Sequence, residues 1–129
     1  MSISKIVRAR LESSYHRVQP KLAGTRGVHL EVWESAADRY VGVEFGTNSV
    51  GFWIKKMNLF QVDIPEGVER REKEPKGRGW IGVGEDNKGC NSNLSGYPEF
   101  VGSKISHLLV RDPDHALQIL DALGARKAA

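Results

Sequence analysis

Apolar side chains recur at every second position through three consecutive runs of this chain: Val28, Leu30 and Val32; Val41, Val43 and Phe45; Val50, Phe52 and Ile54. A strand sends neighbouring side chains to opposite sides of a sheet, so the spacing predicts three strands with one shared apolar face. The positions between them fall on a second face: His29, Glu31 and Trp33, then Tyr40, Gly42 and Glu44, then Gly51, Trp53 and Lys55. The connection 34–38 is short, and Gly46-Thr47-Asn48-Ser49 has tight-turn chemistry, which makes the strands an antiparallel meander. Phe60, Val62 and Ile64 continue the alternation and predict a fourth strand over 59–64, stopped by Pro65.

The period changes at both ends of the chain. Ile3, Ile6, Val7, Leu11, Tyr15 and Val18 gather into one stripe at 3.6 residues per turn, predicting an amphipathic helix over 3–18. Ser2 or Ser4 can cap its start, and Pro20 and Gly24 end it. Near the other end, Ile105 to Val110 reads as a strand, followed by Asp112 as N-cap, Pro113 at the first helical position and Asp114 in the first turn. Ala116, Leu117, Ile119, Leu120 and Leu123 form that helix's apolar stripe, and Gly124 fits the position just past its end. Between meander and final strand, residues 66–79 are charged and broken by Pro75, Gly77 and Gly79, so they read as a surface loop. Trp80 to Val83 suggests a short strand, and 84–104 a second long loop anchored by Tyr97, Pro98 and Phe100.

These elements predict an α+β fold: an antiparallel sheet of four to six strands with the N-terminal and C-terminal helices packed on one face. The expected organisation is a single domain over 1–129. It divides into a basic helix and turn (1–26), the meander (27–65), long loops with a short strand (66–104), and a closing strand and helix (105–124). A length of 129 residues suits one hydrophobic core.

Composition narrows the setting. No apolar run approaches the roughly 18 residues of a membrane helix, so no membrane partner is expected. The first residues lack a secretory apolar core and cleavage site, which points to a cytoplasmic location. Cys90 is the single cysteine, so neither an internal disulfide nor a paired-cysteine zinc site can form. Charge is concentrated in residues 1–26, where Lys5, Arg8, Arg10, Arg17, Lys21 and Arg26 face the single acid Glu12. Such an end can attract nucleic acid, an anionic membrane surface or an acidic protein, although such a run is more often simply the solvated side of a helix.

The candidate chemistry is mostly that of binding. Trp33, Tyr40 and Trp53, with Lys55 beside them, could stack on bases and meet phosphate; the alternative is that a second layer covers them. Arg8 and Arg10 would add electrostatic attraction, and Asn91, Asn93 and Tyr97 could present amides and a ring from a loop. Glu31, Glu44 and Lys55 admit a metal-dependent phosphodiesterase arrangement, against plain cross-strand pairing of Glu with Lys. Gly77 to Gly82 matches G-x-G-x-x-G but lacks the preceding strand and following helix of a dinucleotide site. The four histidines, His16, His29, His107 and His115, have no metal-ligand spacing. No catalytic residue, metal ligand or cofactor is assigned.

The order helix, meander, charged loop, strand, helix resembles that of small accessory domains accompanying restriction and nuclease systems, in element order and without a shared motif. The expected function is a small binding module that recognises a macromolecular partner, nucleic acid or protein, through a sheet face and flanking loops. The competing expectations are a protein-binding regulator or inhibitor without catalytic activity, and a metal-dependent nuclease-like enzyme.

Overall fold

A computed structural model describes residues 2–19, 30–60, 62–73, 100 and 104–125. Two helices, α1 (Ile3–Ser14) and α2 (Pro113–Gly124), accompany a six-stranded antiparallel sheet. The strands are β1 (Tyr15–Val18), β2 (Glu31–Ser35), β3 (Tyr40–Phe45), β4 (Val50–Lys55), β5 (Glu69–Lys73) and β6 (Ile105–Val110), in spatial order β1-β2-β3-β4-β6-β5. The expected α+β architecture is therefore present. Trp80–Val83, Gly77–Gly82, His29, Cys90 and the turn through Gly24 and Gly27 lie outside the described residues.

Helix α1 starts where Ser2 accepts a hydrogen bond from the Lys5 amide, but it ends at Ser14 rather than running to Val18. Ser13 and Ser14 propagate a helix poorly, and the Ser13 hydroxyl bonds back to the Arg10 carbonyl. Tyr15 turns extended and joins β1, whose pairing with β2 (Tyr15↔Ser35 to Val18↔Val32) supplies the backbone partners the helix would have used. The Tyr15 hydroxyl then donates to the Leu120 carbonyl at 2.6 Å, tying β1 to α2. Burial, with the Asp121 charge nearby, raises that phenol's pKa against the opposing effect of Arg39 and Arg10.

Helix α2 begins as the residues require: Asp112 accepts from the Asp114 amide at 2.8 Å and Pro113 occupies the first turn. Its end differs from expectation, because Gly124 is the last helical residue and extended Ala125 follows. Arg39 supplies the cap instead, donating to the carbonyls of Ala122, Leu123 and Ala125 at 3.1, 3.3 and 3.2 Å. Buried Ser35 adds a bond to the Leu123 carbonyl. A cation on these outward carbonyls also opposes the helix dipole. Arg39→Ala is expected to lower stability by about 1 kcal/mol, read as an earlier urea midpoint with unchanged slope.

Two elements of the middle region depart from expectation. Among the described residues of 59–64 no strand forms; a short 3-10 helix (Lys56–Leu59) follows β4, and Val62, Ile64 and Val68 pack against the core edge. The charged stretch read as loop contains β5, an edge strand beside β6. Charge there is no obstacle, since an outer strand is protected by it from pairing with other chains.

The facing of the strands is settled by the turns. Phe45 pairs with Val50 across Gly46, Thr47, Asn48 and Ser49, an even-membered loop that places Val43 beside Phe52. The β2–β3 hairpin instead closes between Ser35 and Arg39, through a turn in which Asp38 is left-handed (φ 60°). That odd-membered loop pairs Val32 with Gly42 and Trp33 with Val41. Glu31 and Trp33 therefore share the helix-side face with Val41, Val43, Phe52 and Ile54, while Leu30 and Val32 belong to the other face. This reverses the facing expected for β2, as a one-residue change of register must.

Two cores result. The helix-side core joins Val7 and Leu11 of α1 and Ile119 and Leu120 of α2 to Phe52, Leu108 and the other inward sheet residues. A smaller one on the opposite face gathers Leu30, Val32, Trp53, Phe100 and Ile105, with Val18 and Tyr40 at its border.

Candidate functional site

The anticipated stacking platform does not assemble. Trp33 lies on the helix side at 7% exposure, and Trp53 lies on the opposite side at 6%. Tyr40 shares Trp53's face but meets Phe100 edge-on, ring centres 6.5 Å apart. Lys55 is on that face too, two residues along β4 from Trp53. Asn91, Asn93 and Tyr97 are outside the described residues.

Glu31 is the centre of a polar cluster on the helix side. Arg8 donates to both its oxygens at 3.2 and 2.8 Å, Arg17 stands 3.4 Å away, and the Trp33 indole N–H donates at 3.1 Å. The Arg8 guanidinium also lies over the Phe45 ring, 4.3 Å from its centre. Burial alone would raise the Glu31 carboxyl's pKa, but the Arg8 hydrogen bond, the charges of Arg17 and Arg8 and the Trp33 N–H hold it below the ordinary range. The same hydrogen bond pushes the Arg8 guanidinium up. Arg10 pairs with Asp121, joining α1 to α2. Both candidate arginines thus meet carboxylates of their own chain, where each fixes α1 in place.

Glu44 lies on the other face, where it accepts the Trp53 indole N–H and stands 3.7 Å from the His107 ring. The His107 ring packs on Trp53, centres 4.3 Å apart, over Gly51, where an added Cβ would come within 2.8 Å of the imidazole. Gly51 is thus a requirement of this packing. Because Glu31 and Glu44 are on opposite faces, they cannot share a metal ion. Among the described residues no group of three or more His, Cys, Asp or Glu side chains is placed to hold one.

On the β5 edge, Ser106, fully buried, donates to Glu72 at 2.8 Å, and Arg70 donates to Glu72 at 2.7 Å. Burial raises the Glu72 carboxyl, and these bonds with the charges of Arg70 and Lys56 outweigh it, leaving its pKa lowered. These polar contacts brace the strand pair.

Among the described residues, the large apolar side chains left exposed lie at the end of β4. Leu59 of the 3-10 helix is buried, whereas Met57 is 73% and Phe60 88% exposed. These two line a pocket of about 380 Å³ together with Lys56 and Lys104. The Lys56 amide donates to the Lys104 carbonyl at 2.9 Å, fixing the two backbones side by side. Sequence reading missed this surface because Phe60 has the same alternation as Val62 and Ile64, which do pack inward. The available signal was Lys55-Lys56-Met57, where two charges interrupt an apolar run and imply that Met57 has left the sheet.

No protein-family profile, curated protein or solved structure matches the chain. No helix among the described residues is long and apolar enough to cross a membrane.

Proposed function

We propose that the chain is a binding module whose partner is a protein, seated on the surface formed by Met57 and Phe60. One observation carries this reading: two large apolar side chains stand exposed together beside a pocket, while Trp33 and Trp53 are buried. Neighbouring exposed apolar groups around a hollow mark contact surfaces, and a bulky side chain entering such a hollow dominates the binding energy. A nucleic-acid partner has less support, because Trp33 and Trp53 do not share a face and Arg8 and Arg10 are paired with acids. A nuclease-like activity has less still, with Glu31 and Glu44 separated by the sheet. A cytoplasmic setting belongs to this reading and rests on the lone thiol, which suits a reducing compartment.

The test is the double variant Met57→Ser/Phe60→Ser. Both side chains are exposed, so its stability should stay within about 0.5 kcal/mol of the parent. Capture of a protein partner from nuclease-treated lysate should fall by roughly 30-fold, the effect of losing a contact anchor worth about 2 kcal/mol. Capture that vanishes on nuclease treatment would assign a nucleic acid instead. Undiminished capture by the double variant would overturn the proposal.

A further inference from the structure

We infer that Met57 is a reversible oxidation site, at which a peroxide turns the binding surface from apolar to polar; the inference rests on the protein-binding reading above. A methionine sulfur is oxidised where an oxidant can reach it, and Met57, the only internal methionine, is 73% exposed. In the reaction the O–O bond of hydrogen peroxide breaks, one oxygen forms an S–O bond and the other leaves as water. The thioether sulfur gives up two electrons and becomes a sulfoxide.

Position gives the modification its consequence. Met57 lies in the 3-10 helix and Phe60 directly after it, three residues on, a spacing at which side chains of such a helix lie over one another. Both line the same pocket, so the sulfur that an oxidant meets belongs to the contact surface itself. A thioether offers soft apolar contact, whereas a sulfoxide is a polar acceptor that must shed water when a partner covers it. The fold is insulated from the change. Leu59 is the residue of this helix that enters the core, and Trp33 and Trp53 are buried away from the same oxidant.

Peptides selected from a random display library supply the probe, using the full reduced chain as bait and the Met57→Ser/Phe60→Ser variant for counter-selection. Cys90→Ser in every protein removes the other reactive sulfur. After hydrogen peroxide, mass spectrometry of the fragment holding Met57 should show one added oxygen. Affinity for the selected peptides should then fall about tenfold while the urea midpoint stays in place. Methionine sulfoxide reductases for both sulfoxide epimers, with dithiothreitol as reductant, should restore the affinity, and Met57→Leu should bind alike before and after peroxide. Met57 left as thioether by peroxide that oxidises free methionine would overturn the oxidation site and leave the protein-binding reading in place. Undiminished affinity of the oxidised chain, a shifted urea midpoint, or an equal fall in Met57→Leu would do the same. Absence of any enrichment dependent on Met57 and Phe60 would overturn both.

Discussion

Trp53→Ala is expected to lose about 3–5 kcal/mol of folding stability, because it empties the centre of the second core. The indole is buried with Leu30, Val32, Phe100 and Ile105, packs on His107 and donates its N–H to Glu44. Truncation leaves a cavity among these groups, and because the Glu44 carboxylate is partly open to water the cavity accounts for most of the loss. An indole held for stacking on a ligand would respond in the opposite manner, with partner binding lost and the denaturation curve hardly moved. Urea denaturation monitored by far-ultraviolet circular dichroism separates the two, and an unshifted midpoint would remove Trp53 from the core. Phe52→Ala, on the other face, provides the reference for a cavity in the larger core.

Glu31→Ala should cost about 2 kcal/mol, below the roughly 3–5 kcal/mol of a fully buried pair because Arg8 can turn partly to water. The Trp33 N–H has less freedom, since its ring is held between β1 and β3. The pH dependence follows from the lowered carboxyl pKa. A group more acidic folded than unfolded contributes its stability above its unfolded value, about 4.3 for glutamate, and loses it as pH falls through the folded value. Stability should therefore decline below about pH 4–5, and the decline should be shallower in Glu31→Gln. Urea midpoints taken from neutral to acid pH measure this directly. Equal acid slopes in the two proteins would show that Glu31 is not the group responsible.

The parts of the fold legible in the sequence are those in which one local rule is sufficient. Asp112, Pro113 and the α2 stripe identify their helix because cap, first turn and periodicity coincide. The strands of the meander were legible for the same reason. Their facing was not, since alternation separates two faces only when one of them meets water. Here both are covered: Trp33 is buried on one side, and Val32 is equally buried on the other. The choice belongs to the Ser35–Arg39 turn, where a single left-handed Asp38 decides the pairing parity. The pairing of Glu31 with an arginine, rather than with Lys55 or a metal, was not legible because nothing in its neighbourhood of sequence announces Arg8, 23 positions away. The Met57–Phe60 surface was obscured by a pattern that its neighbours Val62 and Ile64 obey.

The place of β6 in the sheet also bears on how the chain is made. β4 ends at Lys55, 50 positions before β6 begins at Ile105, yet pairs with it along its whole length, from Val50↔Val110 to Lys55↔Ile105. A nascent chain that has released β1 to β4 consequently carries Val50-Gly-Phe-Trp-Ile-Lys55 as a bare, apolar border until residues 105–110 emerge. Synthesis at about 5–20 residues per second makes that interval several seconds, long enough for encounters with other nascent chains or a chaperone. The vulnerable species for this protein is thus a half-built sheet on the ribosome, and slow codons between β4 and β6 would prolong its life.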